Sequence, residues 1–390
     1  MIKLQKSTFL DEMATKEKLC AFIMRSDQLS MGDECKRFEE VFSAKQGRRY
    51  AVFVNSGSSA NLILIQALLN LCRLKKGDIV GVSALTWATN IMPIIQLGLV
   101  PYLIDCEIDT LNVSPNTLAV ALAAEPGIRC IFLTNTLGLS DDIYAIRDIC
   151  IEREVLLLED NCEALGSVVA GRLLGNFGLA STFSFFVGHH LSAIEGGMVC
   201  TDDEELYEQV VMCRAHGWDR NLTKAAQERL RKKNGVDDFY AKYTFYDLGY
   251  NVRATEINGF IGGLQLAYLD HIVEARFDNF IRLNGVINGN NNLTTIRHDH
   301  MDIVSSFAIP VIMAEGVDVN KFKVIFSEAD VEIRPMIAGN MGMQPFYRKY
   351  VKGGAAQPNA DYIHRNGFYF GNNPELTDDE LVLLADLLTH

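Results

Sequence analysis

From about residue 50 to residue 200, short apolar runs alternate with stretches of helical period. Tyr50–Asn55 (YAVFVN), Asp78–Val82 (DIVGV), Val100–Ile104 (VPYLI), Arg129–Thr134 (RCIFLT) and Val155–Glu159 (VLLLE) are strand candidates. Ser59–Leu74, Asn90–Gly98 and Asp142–Arg153 lie among them as helices. This alternation predicts right-handed βαβ units and a mostly parallel sheet with helices on both faces. A long helical region, Thr255–Ile287, follows. Ile303–Met313 and Val331–Pro335 are strand-like, and a helix over Asp378–Leu388 closes the chain. The division expected is a large domain over 1–265, with a helical amino-terminal segment, and a smaller α+β domain over 266–390.

Composition narrows the function classes. The 390 residues are 48% hydrophobic, ample for a large core, and the net charge is -13. No block of like charges occurs, so general affinity for nucleic acid or an anionic membrane is not expected. An anionic ligand would need a local phosphate site. No apolar run approaches the ~20 residues that span a bilayer. The first residues, MIKLQKSTFLDEMATKEK, are charged where a secretory leader would be apolar. Nine cysteines are scattered singly with no CxxC pair, which fits reduced thiols in the cytoplasm.

Four segments carry candidate chemistry. Asn55–Asn61 (NSGSSAN) stands at a strand-to-helix junction, where free N–H groups and the helix dipole bind phosphate; a plain N-cap reads equally well. In Leu156–Gly166 (LLLEDNCEALG) a strand delivers Glu159 and Asp160 at its carboxyl end, where open α/β sheets place ligands. A carboxylate there can hold a protonated pyridine nitrogen, or simply cap a helix. In Ser181–Cys200 (STFSFFVGHHLSAIEGGMVC) an aromatic strand leads to paired histidines. Neighbours on a strand face opposite ways, and no HxxxH or Cys/His spacing accompanies them, so no metal site is expected. Arg214–Asn221 (RAHGWDRN) and Leu248–Ile257 (LGYNVRATEI) place arginines near glycine turns, suited to phosphate or carboxylate, or to a solvated loop.

In this order the segments resemble the DegT/DnrJ/EryC1/StrS group of sugar aminotransferases. The resemblance implies a fold-type I pyridoxal-phosphate fold of the aspartate aminotransferase kind. It further implies that Gly57, Ser58, Ser59 and Ser184 hold the cofactor phosphate, and that Trp87 stacks on its ring. Asp160 would pair with the pyridine nitrogen, with Glu163 near the ring. Asn251 and Arg253 would reach the neighbouring subunit's site in a homodimer, and His216 is a further candidate for touching substrate.

One position departs from the aminotransferase pattern. Five residues after Ser184, where the family's lysine bonds the cofactor, stands His189. No lysine occurs between Lys76 and Lys224, so the cofactor is expected to be held without a covalent bond. Histidine cannot form that bond but is a good acid/base near neutral pH. This resembles the family's sugar 3-dehydratases. Cys200 and Cys213 are the last cysteines, so the iron–sulfur cluster of one branch is not expected. The segments EDNCEALG, GHHLSAIEGG, RAHGWDRNL, GYNVRATEI and RPMIAGN resemble the cluster-free branch. The activity this implies uses pyridoxamine/pyridoxal 5′-phosphate to remove the C3 hydroxyl of a nucleotide-linked 4-keto-6-deoxy hexose, GDP-4-keto-6-deoxy-D-mannose being the expected substrate. L-Glutamate would restore the amine, in colitose-type dideoxysugar synthesis for surface polysaccharide. A sugar aminotransferase and a non-catalytic binder of cofactor or nucleotide sugar are the competing readings.

Overall fold

A computed structural model describes residues 1–390. Strands β1 (Tyr50–Val54), β2 (Ile79–Ser83), β3 (Val100–Ile104), β4 (Ile128–Thr134) and β5 (Leu156–Asp160) form where the unbroken apolar runs predict them. A short hairpin, β6 (Val168–Val169) and β7 (Arg172–Leu173), precedes β8 (Ala180–Ser184) and β9 (Gly197–Thr201). The main sheet has seven strands in the order β1-β9-β8-β5-β4-β2-β3. Only β9 runs against the others. Register sets the carboxyl ends of β4 and β5 level, with Thr134 opposite Asp160. Asp160 in turn faces Thr182 of β8.

The carboxy-terminal third adds an antiparallel sheet of β10 (Ala308–Ile312), β11 (Ile333–Pro335) and β12 (Gly367–Gly371), in the order β10-β12-β11. It is the smaller α+β domain. The amino terminus crosses to it: Ile2 donates its N–H to the Asp330 carbonyl at 2.9 Å and accepts from Glu332 at 2.9 Å. The chain then returns to the large domain through helices Glu12–Arg25 and Asp33–Gln46.

Three sequence expectations change. The helical region 255–287 is two helices, Glu256–Leu266 and Leu269–Gly289, because Ala267 and Tyr268 turn between them. Of Ile303–Met313 only β10 is a strand of the sheet; just before it the Ser306 hydroxyl accepts from the Ala308 N–H at 3.3 Å, a local side-chain contact in place of a ladder bond. The paired histidines lie in the turn between β8 and β9 rather than on a strand, so their facing follows from the turn. Beneath that turn Phe38, Phe42, Phe53, Phe183 and Phe185 pack with ring centroids 5.0–6.0 Å apart. This aromatic cluster fixes the end of β8.

Candidate active site

A cavity of about 590 Å³ opens at the carboxyl ends of β4, β5 and β8, where open parallel sheets place ligands. Gly57, Ser58, Trp87, Asp160, Glu163, Ser184 and His189 all line it. They come from four separate stretches of sequence.

The first wall is the start of helix Gly57–Asn70. Ser56 is its N-cap and accepts from the Ser59 N–H at 3.1 Å, which leaves the Gly57 and Ser58 amides free toward the cavity. Ser59 itself stands outside the lining, its hydroxyl 3.0 Å from that of Ser56. Gly57 is required by close approach: a Cβ there would lie 2.7 Å from the Ser184 Cβ.

Asp160, 4% exposed, forms the floor. Its Oδ2 accepts from Asn61 at 3.0 Å and Asn90 at 2.6 Å, and its Oδ1 from the Cys162 N–H at 2.8 Å. Glu159 points the other way, as alternation on a strand demands, and accepts the amides of Gly175, Phe177 and Gly178 at 2.7–2.8 Å. It is a loop brace. Glu163 accepts from the Leu137 N–H at 2.8 Å. Burial pushes its carboxyl up to about 8, and the nearby Asp160 charge adds to the rise.

His189 stacks on Phe307 at 5.5 Å and 21°, with Phe186 edge-on at 6.0 Å. Burial pushes the imidazole down to about 4; Asp160 opposes this and Arg276 reinforces it. The ring is therefore neutral at physiological pH, the form that accepts a proton. His190 is buried, with Nε2 2.8 Å from the Ser305 carbonyl. Trp87, 51% exposed, precedes the turn Ala88–Asn90 that brings Asn90 to Asp160.

Asn251, Arg253 and His216 lie outside the cavity of this chain. Asn251 pairs with Ala215 and Arg253 with Val54; both side chains are exposed, and Arg253 Nε donates to Asn251 Oδ1 at 2.9 Å. His216 leans on Trp218 at 4.8 Å.

Sequence reasoning missed that two asparagines hold Asp160: Asn61 ends the singled-out segment Asn55–Asn61 but was given no role, and Asn90 lies in none of the segments with candidate chemistry. It missed Phe307 and Tyr369, brought to the cavity by the small domain, and Arg334 and Glu195, which lie in segments already singled out. It also missed Lys3. The stretch around His189 has no lysine, but the amino-terminal segment brings this one to the cavity wall.

The sequence matches the model of the DegT/DnrJ/EryC1/StrS aminotransferase family over residues 11–388. A GDP-4-keto-6-deoxy-D-mannose 3-dehydratase from Escherichia coli O55:H7 is 34% identical over 370 residues, 94% of each chain. Among solved structures, a histidine-to-asparagine variant of GDP-4-keto-6-deoxymannose-3-dehydratase with bound GDP-perosamine aligns at TM-score 0.91 and 33% identity, over 100% of both chains. The same dehydratase with a trapped PLP-glutamate geminal diamine gives 0.91 and 34%, again over 100% of both. No helix of the chain is long and apolar enough to cross a membrane. The chain belongs to the DegT/DnrJ/EryC1/StrS aminotransferase family and has its fold-type I, aspartate aminotransferase-like architecture.

Proposed function

We propose that this protein is a pyridoxamine/pyridoxal 5′-phosphate-dependent nucleotide-sugar 3-dehydratase, which removes the C3 hydroxyl of a 4-keto-6-deoxy hexose. The observation that carries the reading is an imidazole, His189, facing the same cavity as Asp160 and the free amides of Gly57 and Ser58.

The residues fit the cofactor. Two unengaged N–H groups at a helix start, beside Ser184, suit a phosphate. A buried carboxylate fixed by three donors suits a protonated pyridine nitrogen. Trp87 offers an exposed ring beside them, and Glu163 adds a carboxyl that can be protonated. When bound, the cofactor supplies an amine and an electron sink.

The chain's own residues do the rest. His189, held neutral, accepts a proton and returns it to the C3 hydroxyl oxygen, which leaves as water. The relatives' names favour GDP-4-keto-6-deoxy-D-mannose as substrate and glutamate as amino donor. The cofactor is held non-covalently, because imidazole cannot form the bond that lysine forms. We also place the domain boundary at 265/266, at the last turn of helix Glu256–Leu266 and ahead of helix Leu269–Gly289. The protein works as a homodimer that shares its sites, and in the cytoplasm, where its nine free cysteines stay reduced.

The test is mass spectrometry of products from GDP-, CDP- and dTDP-4-keto-6-deoxy sugars incubated with cofactor and glutamate. The expected product is a keto sugar one oxygen poorer, made best from the GDP substrate. A product carrying nitrogen at C4 with its C3 hydroxyl intact would identify an aminotransferase instead.

A further inference from the structure

Arg276, on helix Leu269–Gly289, is a buried cation without an anion. It is 5% exposed and forms no ion pair. Nη1 donates to the Asn372 carbonyl at 2.7 Å and Nη2 to the His189 carbonyl at 3.4 Å, while Nε has no partner. A buried arginine kept only for packing is ordinarily neutralised by a carboxylate, because an uncompensated charge is costly. Here the charge is left free, and it stands behind the histidine turn.

The surroundings hold it there. Asn372 Nδ2 donates to the Arg276 carbonyl at 2.8 Å and the Ser306 carbonyl at 2.9 Å. The next residue after Ser306, Phe307, is the ring on which His189 stacks. His190 is tied to the Ser305 carbonyl at 2.8 Å. The small domain thus grips the turn of the large domain at three adjacent points.

We propose that Arg276 is a positioning residue for His189: its guanidinium, anchored on Asn372, holds the carbonyl of the histidine turn and faces that turn with a fixed positive charge. The proposal rests on the reading of His189 as the acid/base. The charged groups around the ring act in opposite directions. Asp160, from β5, favours the protonated imidazole, and Arg276 disfavours it. His190 adjoins the ring, and Cys162, Glu163 and Tyr369 line the cavity it faces. Glu195, Lys3 and the Arg334–Glu332 pair complete the charged lining. Arg276 alone supplies a buried cation from behind.

The experiment is a histidine-ring NMR titration of full-length, cofactor-loaded protein, with the His189 resonance identified by its loss in His189→Asn. Rates of the dehydration half-reaction are measured alongside. In wild type, His189 should stay neutral down to about pH 5. In Arg276→Gln the charge is gone, so protonation becomes easier and the midpoint should rise by about one unit or more. The acid limb of the rate should rise with it, and kcat should fall about tenfold or more with little change in KM. Arg276→Lys keeps the charge but not the fork, so it should keep the wild-type titration while slowing the reaction. A purely structural role would lower thermal stability and leave the titration alone. A folded Arg276→Gln protein whose His189 titrates as in wild type overturns the proposal. If Arg276→Gln does not fold, a wild-type rate in Arg276→Lys overturns it, and a slowed rate with unmoved titration supports it. His189→Asn that dehydrates at the wild-type rate would sink the acid/base reading, yet the effect of Arg276 on the ring would still be readable.

Discussion

At the scale of single residues, the identity of position 189 decides between two chemistries that the rest of the site could serve. Lysine at this position should bond the cofactor covalently, so His189→Lys should yield protein that retains cofactor after borohydride reduction and denaturation. Wild type should release it. Lys3 lines the same cavity, so the comparison needs Lys3→Gln beside it; wild-type release that is unchanged in Lys3→Gln excludes a bond through Lys3. Dehydration in His189→Lys should fall by about 10²–10⁴-fold, the usual loss for a positioned acid/base. An amine with an ordinary value near 10 holds its proton too tightly to accept and return one at neutral pH. A lysine variant that dehydrates the sugar as fast as wild type would remove His189 from the mechanism.

The elements explain which parts of this site could be read in advance. β1 to β5 are nearly continuous apolar runs, because a parallel sheet is covered on both faces, and each was legible within a residue or two. The residues at their carboxyl ends, Asp160 among them, were legible for the same reason. β12 was not, since a five-residue segment between two glycines gives no period to count. Nor were Asn61 and Asn90, which reach Asp160 from 99 and 70 residues away. Their role exists only once β5, helix Gly57–Asn70 and the Ala88–Asn90 turn are packed. One glycine does belong to the elements rather than to the chemistry. Gly57 lets the helix start close on the end of β8, and a methyl group there must push Ser184 away or lift the helix. Overpacking of this kind costs about 1–3 kcal/mol. Gly57→Ala should therefore weaken cofactor binding by about 5- to 150-fold on the same scale, read by spectroscopic titration. The fold should survive, because the change touches only the Ser184 and Cys162 side chains at a helix end. Unaltered affinity in a folded variant would mean that the free amides are not the phosphate site.

At the scale of the whole molecule, the exposed stretch 239–248 is unusually apolar for a surface. Phe239, Tyr240, Tyr243 and Leu248 are between 68% and 77% exposed, and Asn251 and Arg253 follow them a few residues on. Clustered exposed aromatics mark surfaces that are covered in the working assembly. Asn251 and Arg253 do not reach the cavity of their own chain. A homodimer resolves both facts, if this stretch meets a second copy and carries these two side chains into its site. Twofold symmetry then makes a sharp prediction. Asn251→Ala subunits keep His189, and His189→Asn subunits keep Asn251, so each homodimer is impaired at both of its sites. In a heterodimer one site pairs the intact His189 with the intact Asn251, and the other combines both defects. Equimolar mixing with free exchange gives heterodimers for half the population, and thus about a quarter of wild-type activity. The activity should appear with the kinetics of subunit exchange, followed by native mass spectrometry. If heterodimers form and activity stays at the level of the separate variants, Asn251 serves no neighbouring site. The exposed aromatic stretch would then need another explanation.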